Sequence, residues 1–504
     1  MSIKEDIQTM ELMSYVPAVE NRLSGSETLE VIIPDKYPDA SEIIFLSGNP
    51  YLKGKDETGS VALQTVYELS ALVRAEDGTV FPVSTEIPVT IRSSLSKGEN
   101  GCCHAELYSL SRDAHIVNSR KLAFSCEVGA NITVWSPRES HFLTGESDKL
   151  IVKKSEQTLL RRRTAISESF FITDELPLPA GKPKAVHIVS KNYRWKSEET
   201  RLTSEKLIAR AVVSVELGYL SEDLEWNLAE FELPFTRVFD LPSVDEESRY
   251  SCRFQKGKIT VLPQTREESE ALSITIAAEA QIVCYEKETV YLFEDLFSLT
   301  SSVKPEYDSI LLPVELLKEE GRVSHEETVE FPKDPEEISA FSIMLSPPTA
   351  YFTDKDRIHA EVTAHADFLY RSGGILCHLE KNFPIEWESG VEGTLCSVSA
   401  AVATARYTLP AMRKSEIDLT LDFLLSGERT CELRAVSDLV EEQAETVALP
   451  SYLYIPASYE TDLFSIGKKY HASPDDIAEV NGLAPENDVP RGTPLLIPVT
   501  KGKS

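Results

Sequence analysis

A proline held between two apolar residues closes a long alternating run three times over. It reads Ile87-Pro88-Val89, Leu233-Pro234-Phe235 and Phe383-Pro384-Ile385. The prolines stand 146 and 150 residues apart (88 to 234 to 384). Each is preceded by a run and a turn signal. Val66–Val73 leads to Asp77-Gly78, Leu207–Leu217 to Ser221-Glu222-Asp223, and Ile358–Asp367 to Gly373-Gly374. Alternation over eight or more residues puts one face of a strand in a core and the other in water. Asp-Gly and Gly-Gly mark hairpins. Proline cannot donate to a ladder, so its strand is expected at a sheet edge or bulge.

Two further blocks recur in the same order. The copies open on Glu27–Val31, Glu168–Ile172 and Glu327–Phe331, and each carries a later strand at Lys121–Val128, Ala271–Ala278 and Glu416–Phe423. The fold expected is mainly β, with a small α+β C-terminal domain. Three tandem antiparallel β-rich repeats, sandwiches or partly open barrels, occupy residues 1–150, 158–305 and 318–443. Short helices are expected near Glu20, at Glu267–Ala271 and at Asp438–Glu445. Polar joints of limited hinge freedom are expected near Ser147–Gln157, Ser302–Gly321 and Glu441–Pro450.

The tail, residues 450–500, reads strand, helix, helix, strand. Tyr452–Ile455 is an extended apolar run. Leu463, Ile466 and Tyr470 share one stripe of a short helix. Ser473-Pro474-Asp475-Asp476 starts a second helix: Ser473 can cap, Pro474 suits the first position, and Asp476 completes a capping box. Ile477 and Val480 are expected on its buried side, and Gly482 at its end. Arg491–Pro498 gives a closing strand.

Composition narrows the partners. The formal net charge of −31 over 504 residues argues against nucleic acid and against an anionic membrane surface. No apolar run is long enough to span a bilayer, so no membrane insertion is expected. Met1–Gln8 lacks the apolar centre of a secretory leader. The eight cysteines are scattered without a CxxC, which suits reduced thiols of a cytosolic protein.

No set of residues points to catalysis. Gly48–Lys55 resembles a phosphate loop but has five intervening residues and is followed by Asp56, which repels phosphate. His325-Glu326 lacks the second histidine of a zinc protease. His359 and His365 lie roughly 20 Å apart along a strand, too far for one metal ion. Cys102-Cys103-His104 and Cys377-His378 lack chelating spacing. No cofactor, catalytic residue or metal site is expected. Arg161-Arg162-Arg163 is the one basic cluster, expected to hold the first two repeats together through nearby acids, with an acidic partner surface as the alternative.

The tail resembles the LysM domain, through Leu463–Tyr470, Ile477–Leu483 and Pro490–Pro498. In that family the groove between the first strand-helix loop and the second helix-strand loop usually accepts N-acetylglucosamine glycans. This chain has Glu460-Thr461-Asp462 where the family usually has Gly-Asp-Thr, which changes the backbone a sugar must approach. Three β-rich repeats followed by such a tail resemble the SPOCS-domain plus LysM family of spore coat morphogenesis proteins in endospore-forming Firmicutes. That resemblance implies a non-enzymatic adaptor in the mother-cell cytoplasm, at the forespore surface and spore coat. Its partner would be the coat morphogenetic ATPase, a protein gripped by the LysM module. The residues expected to grip are Tyr459, Glu460, Thr461, Asp462 and Leu463 on one lip, with Asn481, Gly482, Leu483 and Ala484 on the other. The repeats would form a rigid rod holding that module out. The alternative partner is a peptidoglycan glycan of cortex or cell wall. A hydrolase with a targeting tail is a third class, with no visible nucleophile-base or metal set.

Overall fold

The computed structural model describes residues 7–146, 149–266, 269–352, 357–390, 395–408, 411, 413–442, 452–456, 462–484 and 489–498. Almost all of it is antiparallel β-sheet.

The first unit contains β1 (Gln8–Ile32), β2 (Ala40–Asp56), β3 (Ser60–Ala75), β4 (Val80–Ser96), β5 (Cys102–Asn118) and β6 (Lys121–Thr144). Strands β2-β3-β4 form a meander, and the other sheet runs β1-β6-β5. The two sheets enclose a core around Leu63, Tyr67, Phe81, Phe124, Val128 and Ile132. Complete burial of each such side chain is worth about 1.5–3 kcal/mol.

The same strand order appears twice more. The second unit has β7 (Ile151–Pro177), β8 (His187–Thr203), β9 (Lys206–Leu220), β10 (Trp226–Asp240), β11 (Arg249–Arg266) and β12 (Ser269–Phe297). Its sheets are β10-β9-β8 and β11-β12-β7. The third has β13 (Ser302–Glu330), β14 (Glu337–Leu345), β15 (Thr349–Phe352), β16 (Ile358–Ser372), β17 (Ile375–Ser389), β18 (Leu395–Tyr407) and β19 (Lys414–Glu442). Its sheets are β13-β19-β18 and a meander in which β14, β15 and β17 all pair with β16. One strand is split there into β14 and β15 by Pro347-Pro348, which have no N–H to give. Ser346 patches the gap: its N–H donates to Thr363 O at 2.9 Å, and its Oγ accepts from Thr363 N at 2.9 Å.

The three recurrent prolines lie on β4, β10 and β17, each at the edge of its meander, opposite Val66, Val212 and Thr363. Pro88 and Pro384 face outward between buried neighbours, Ile87 and Val89 in one case and Phe383 and Ile385 in the other. The turn Gly373-Gly374 has φ of 61° and 73°, two consecutive left-handed residues as a type I′ hairpin requires.

Several sequence expectations are corrected. Glu20 lies on β1 at a register shift between Glu20 and Leu23, a bulge rather than a helix. Ser269–Ala271 and Asp438–Glu442 are strand. In all three places cross-strand pairing overrides a local run of helix-favouring residues. Two of the expected joints are strand over most of their length: residues 151–157 belong to β7, and 302–321 to β13; of the third, 443–450 lie outside the described residues.

Nor do the units form a rod. The β1/β6, β7/β12 and β13/β19 pairs run past their own cores and meet in a shared one. Leu12 and Phe142 come from the first unit, Leu159 and Leu292 from the second, Ile310 and Leu433 from the third. The meanders meet likewise through Phe45 and Leu72, Leu220 and Trp226, and Leu369 and Leu376. All three units also line one cavity of about 2910 Å³. Polar links cross the unit boundaries, among them Lys191–Glu68 at 2.6 Å and Lys258–Glu86 at 2.6 Å. The arginine run divides its work. Arg161 and Arg163 pair with Glu288 and Glu286 of β12, while the Arg162 guanidinium lies 3.9 Å over the Tyr15 ring of the first unit.

The C-terminal module has β20 (Tyr452–Pro456), α1 (Leu463–Tyr470), α2 (Pro474–Asn481) and β21 (Pro494–Pro498), with β20 antiparallel to β21. Its core gathers Leu463, Ile466, Ala472, Ile477, Leu495 and Ile497. No helix among the described residues is long and apolar enough to cross a membrane.

Candidate partner-binding site

The first lip is built on the start of α1. Asp462 has extended backbone (φ −80°, ψ 158°), and its Oδ1 accepts from Ser465 N at 2.7 Å, so it is the N-cap. Its other oxygen, Oδ2, lies 3.1 Å from the Lys153 ammonium on β7. Burial works to raise the Asp462 pKa, but the hydrogen bonds from Ser465 and the Lys153 cation outweigh it and hold the carboxyl below its ordinary value. Leu463 is 1% exposed and sits in the module core. That corrects its expected place on the lip: the first apolar residue after an N-cap points inward with the stripe it begins. Tyr459, Glu460 and Thr461 lie outside the described residues.

The rest of α1 explains why this lip is engaged. Lys468 donates to Asp295 Oδ2 of β12 at 2.7 Å, and Tyr307 Oη of β13 donates to Asp295 Oδ1 at 2.8 Å. Burial and the Asp295 carboxylate push the Tyr307 hydroxyl up to about 12. Phe464 meets Phe297 edge-on, with centroids 5.2 Å apart. At Gly467 a Cβ would stand 2.5 Å from Ala472 O and 3.3 Å from Phe297 Cζ, so only glycine permits this approach. The module is therefore seated on β7 and β12 through α1 and its N-cap.

The second lip follows α2. Ser473 caps it, accepting from Asp476 N at 3.4 Å; Pro474 opens it, and Gly482 closes it in the left-handed region at φ 62°. Asn481 does not face a partner. Its Nδ2 donates to Ile477 O at 2.8 Å and Leu496 O at 2.7 Å, while its Oδ1 accepts from Leu496 N at 2.8 Å. It ties α2 to β21. Leu483 is half-buried against the module core, whereas Gly482 and Ala484 are exposed.

Val480 is the residue the periodicity misplaced. It is 44% exposed, and Ala478 is buried instead. At about 100° per residue, Ile477, Ala478 and Asn481 share one sector of the helix, and Val480 falls beyond its margin. Once Asn481 is recognised as an inward, hydrogen-bonded residue, that rotation follows. The open lip is thus Val480, Gly482, Leu483 and Ala484, with Asp475, Asp476 and Glu479 exposed on the same helix. Tyr452 and Tyr454 project from β20, at 58% and 72% exposure.

Among the described residues, one group of three side chains could bring ligand atoms within 4.8 Å of one another: Glu11, Glu139 and His141, all exposed on the β1/β6 ribbon. Its histidine already meets Glu139 at 3.0 Å. The seven described cysteines are free thiols, and burial pushes Cys103 and Cys284 up to about 11, away from nucleophilic character. No family model, curated protein or solved structure matches the chain.

Proposed function

We propose that the chain is a non-enzymatic adaptor of endospore coat assembly, of the SPOCS-domain plus LysM type, and that its C-terminal module binds the coat morphogenetic ATPase. The recurrence of one strand order in three successive units, followed by a β-α-α-β tail, supports that arrangement. The observation that carries the binding reading is the division of the module into an engaged and an open side. α1 is seated on β7 and β12, while the end of α2 presents Val480 and Ala484 to solvent. An apolar centre with a charged surround is the composition of a protein-binding patch. The partner is read as gripping the α2 end, with α1 fixing its orientation on the body. The test is a pull-down of the coat ATPase with full-length chain carrying Val480→Arg and Ala484→Arg. Loss of recovery with unchanged thermal stability is expected. Undiminished recovery overturns the placement.

A further inference from the structure

Strand register on the β1/β6 ribbon gathers three metal-ligand side chains that lie far apart in sequence. Glu11 on β1 stands directly across from His141 on β6, and Glu139 lies two residues before His141 on the same strand. Residues two apart on a strand share a face, and a directly opposed residue joins them there. Backbone pairing alone therefore assembles the set, with no loop to close. Its carboxylate and imidazole atoms all lie within 4.8 Å of one another, and His141 Nε2 is 3.0 Å from Glu139 Oε1.

Neighbouring ligand atoms of a first-row divalent ion sit about 3.0–3.4 Å apart, the edge length that bonds of about 2.0–2.1 Å give a tetrahedron or octahedron. The His141–Glu139 contact is already at that spacing. The remaining contacts, at 4.8 Å or less, close to it by side-chain rotation. No lysine or arginine among the described residues pairs with Glu11 or Glu139, so a bound ion displaces no such pair. Donor chemistry narrows the metal. An imidazole nitrogen suits zinc and its first-row neighbours, whereas calcium and magnesium take oxygen ligands. One imidazole and two carboxylates make three protein ligands, and the exposure of all three leaves the other positions to water.

The opposite face of the ribbon gives the set a structural consequence. Leu12 and Phe142, next in sequence to Glu11 and His141, point the other way and are buried in the core shared by the three units. An ion bridging Glu11 to His141 pins β1 to β6 where that strand pair enters the shared core. We propose that Glu11, Glu139 and His141 bind a divalent first-row transition-metal ion of the zinc class, which clips β1 to β6 over the three-unit junction. Sequence spacing hides such a site, because its ligands meet only through register. The proposal is independent of the adaptor reading, since the site lies on the first unit and not in the C-terminal module.

The full chain, stripped of metal with a chelator, is titrated calorimetrically with Zn²⁺, Co²⁺ and Ca²⁺. A saturable Zn²⁺ site is expected. His141→Ala and Glu11→Gln should each weaken it about tenfold or more, since even a residue that only orients a ligand is worth that much. His115→Ala and Cys431→Ser, which remove an exposed imidazole and an exposed thiol elsewhere, should leave it as in the wild type. Saturating Zn²⁺ should raise the melting temperature of the wild type and not that of His141→Ala. The three ligands are exposed, so their variants fold. The proposal is overturned by the absence of Zn²⁺ and Co²⁺ binding, by Ca²⁺ binding as tightly as Zn²⁺, by His141→Ala binding as the wild type does, or by a melting temperature that Zn²⁺ leaves unchanged.

Discussion

Lys468 on α1 and Asp295 on β12 meet at 2.7 Å across a separation of 173 residues, and Tyr307 holds the same carboxylate from the other side. This pair fastens the C-terminal module to the body. It is about a third exposed on the lysine side, so its direct worth is about 1 kcal/mol. Asp295→Asn is therefore expected to loosen the module without unfolding the units. Hydrogen exchange across α1 should quicken while exchange in β3 and β9 stays unchanged; equal exchange in α1 would show that the ion pair is not the fastening.

Gly467→Ala should act at the same contact through sterics. The added Cβ would have to displace Ala472 O or the Phe297 ring, at a cost of about 1–3 kcal/mol. The expected result is earlier proteolytic release of the module, with the main unfolding transition displaced much less.

Asn481→Ala removes the hydrogen bonds between α2 and β21 and strands the N–H and C=O of Leu496. A loss of about 2–3 kcal/mol in local stability is expected. Amide exchange at Leu496 should rise by more than about tenfold. An unchanged Leu496 amide would overturn the locking role of Asn481.

Glu216 gives a pH dependence with a definite sign. Burial, the facing Glu230 and the Asp367 charge raise its carboxyl to about 7, with Arg194 opposing. Folding therefore favours its protonated form. The penalty is absent below the unfolded pKa near 4.5, grows as pH rises, and is complete above about 7. Glu216→Gln should stabilise the protein at pH 8 by about 1–3 kcal/mol and have little effect at pH 4. Chemical denaturation at both values checks this.

Phe142→Ala tests the shared core of the three ribbons. Phe142 is fully buried among residues of all three units, and its removal should cost about 3–5 kcal/mol. Because one cluster joins all three, calorimetry of the wild type should show the units unfolding together. Splitting of that transition in the variant is expected.

Local signals were legible where a residue answers to its immediate neighbours. Pro88, Pro234 and Pro384 announced edge strands because a missing N–H is a local fact. Ser473, Pro474 and Gly482 announced both ends of α2 for the same kind of reason. What stayed hidden depends on distant partners. The run at Asp438–Glu442 favours a helix until β13 is placed beside it. Val480 reads as core until Asn481 is seen bonded to Leu496. The meeting of Leu12, Leu292 and Leu433 has no trace in any one stretch, because each sits in an ordinary alternating strand. The start of α1 at Asp462 was legible, but the engagement of Asp462 by Lys153 was not.

In each unit the opening strand pairs with the closing one: Gln8 with Thr144, Ile151 with Phe297, Ser302 with Glu442. On a ribosome, then, every opening strand emerges long before its neighbour exists. The nascent chain exposes three waiting edges in succession, each closed only when synthesis reaches the end of that unit. Asp295, the landing point of α1, is fixed in place by the second of these closures, so α1 and α2, made later, arrive at a dock already built.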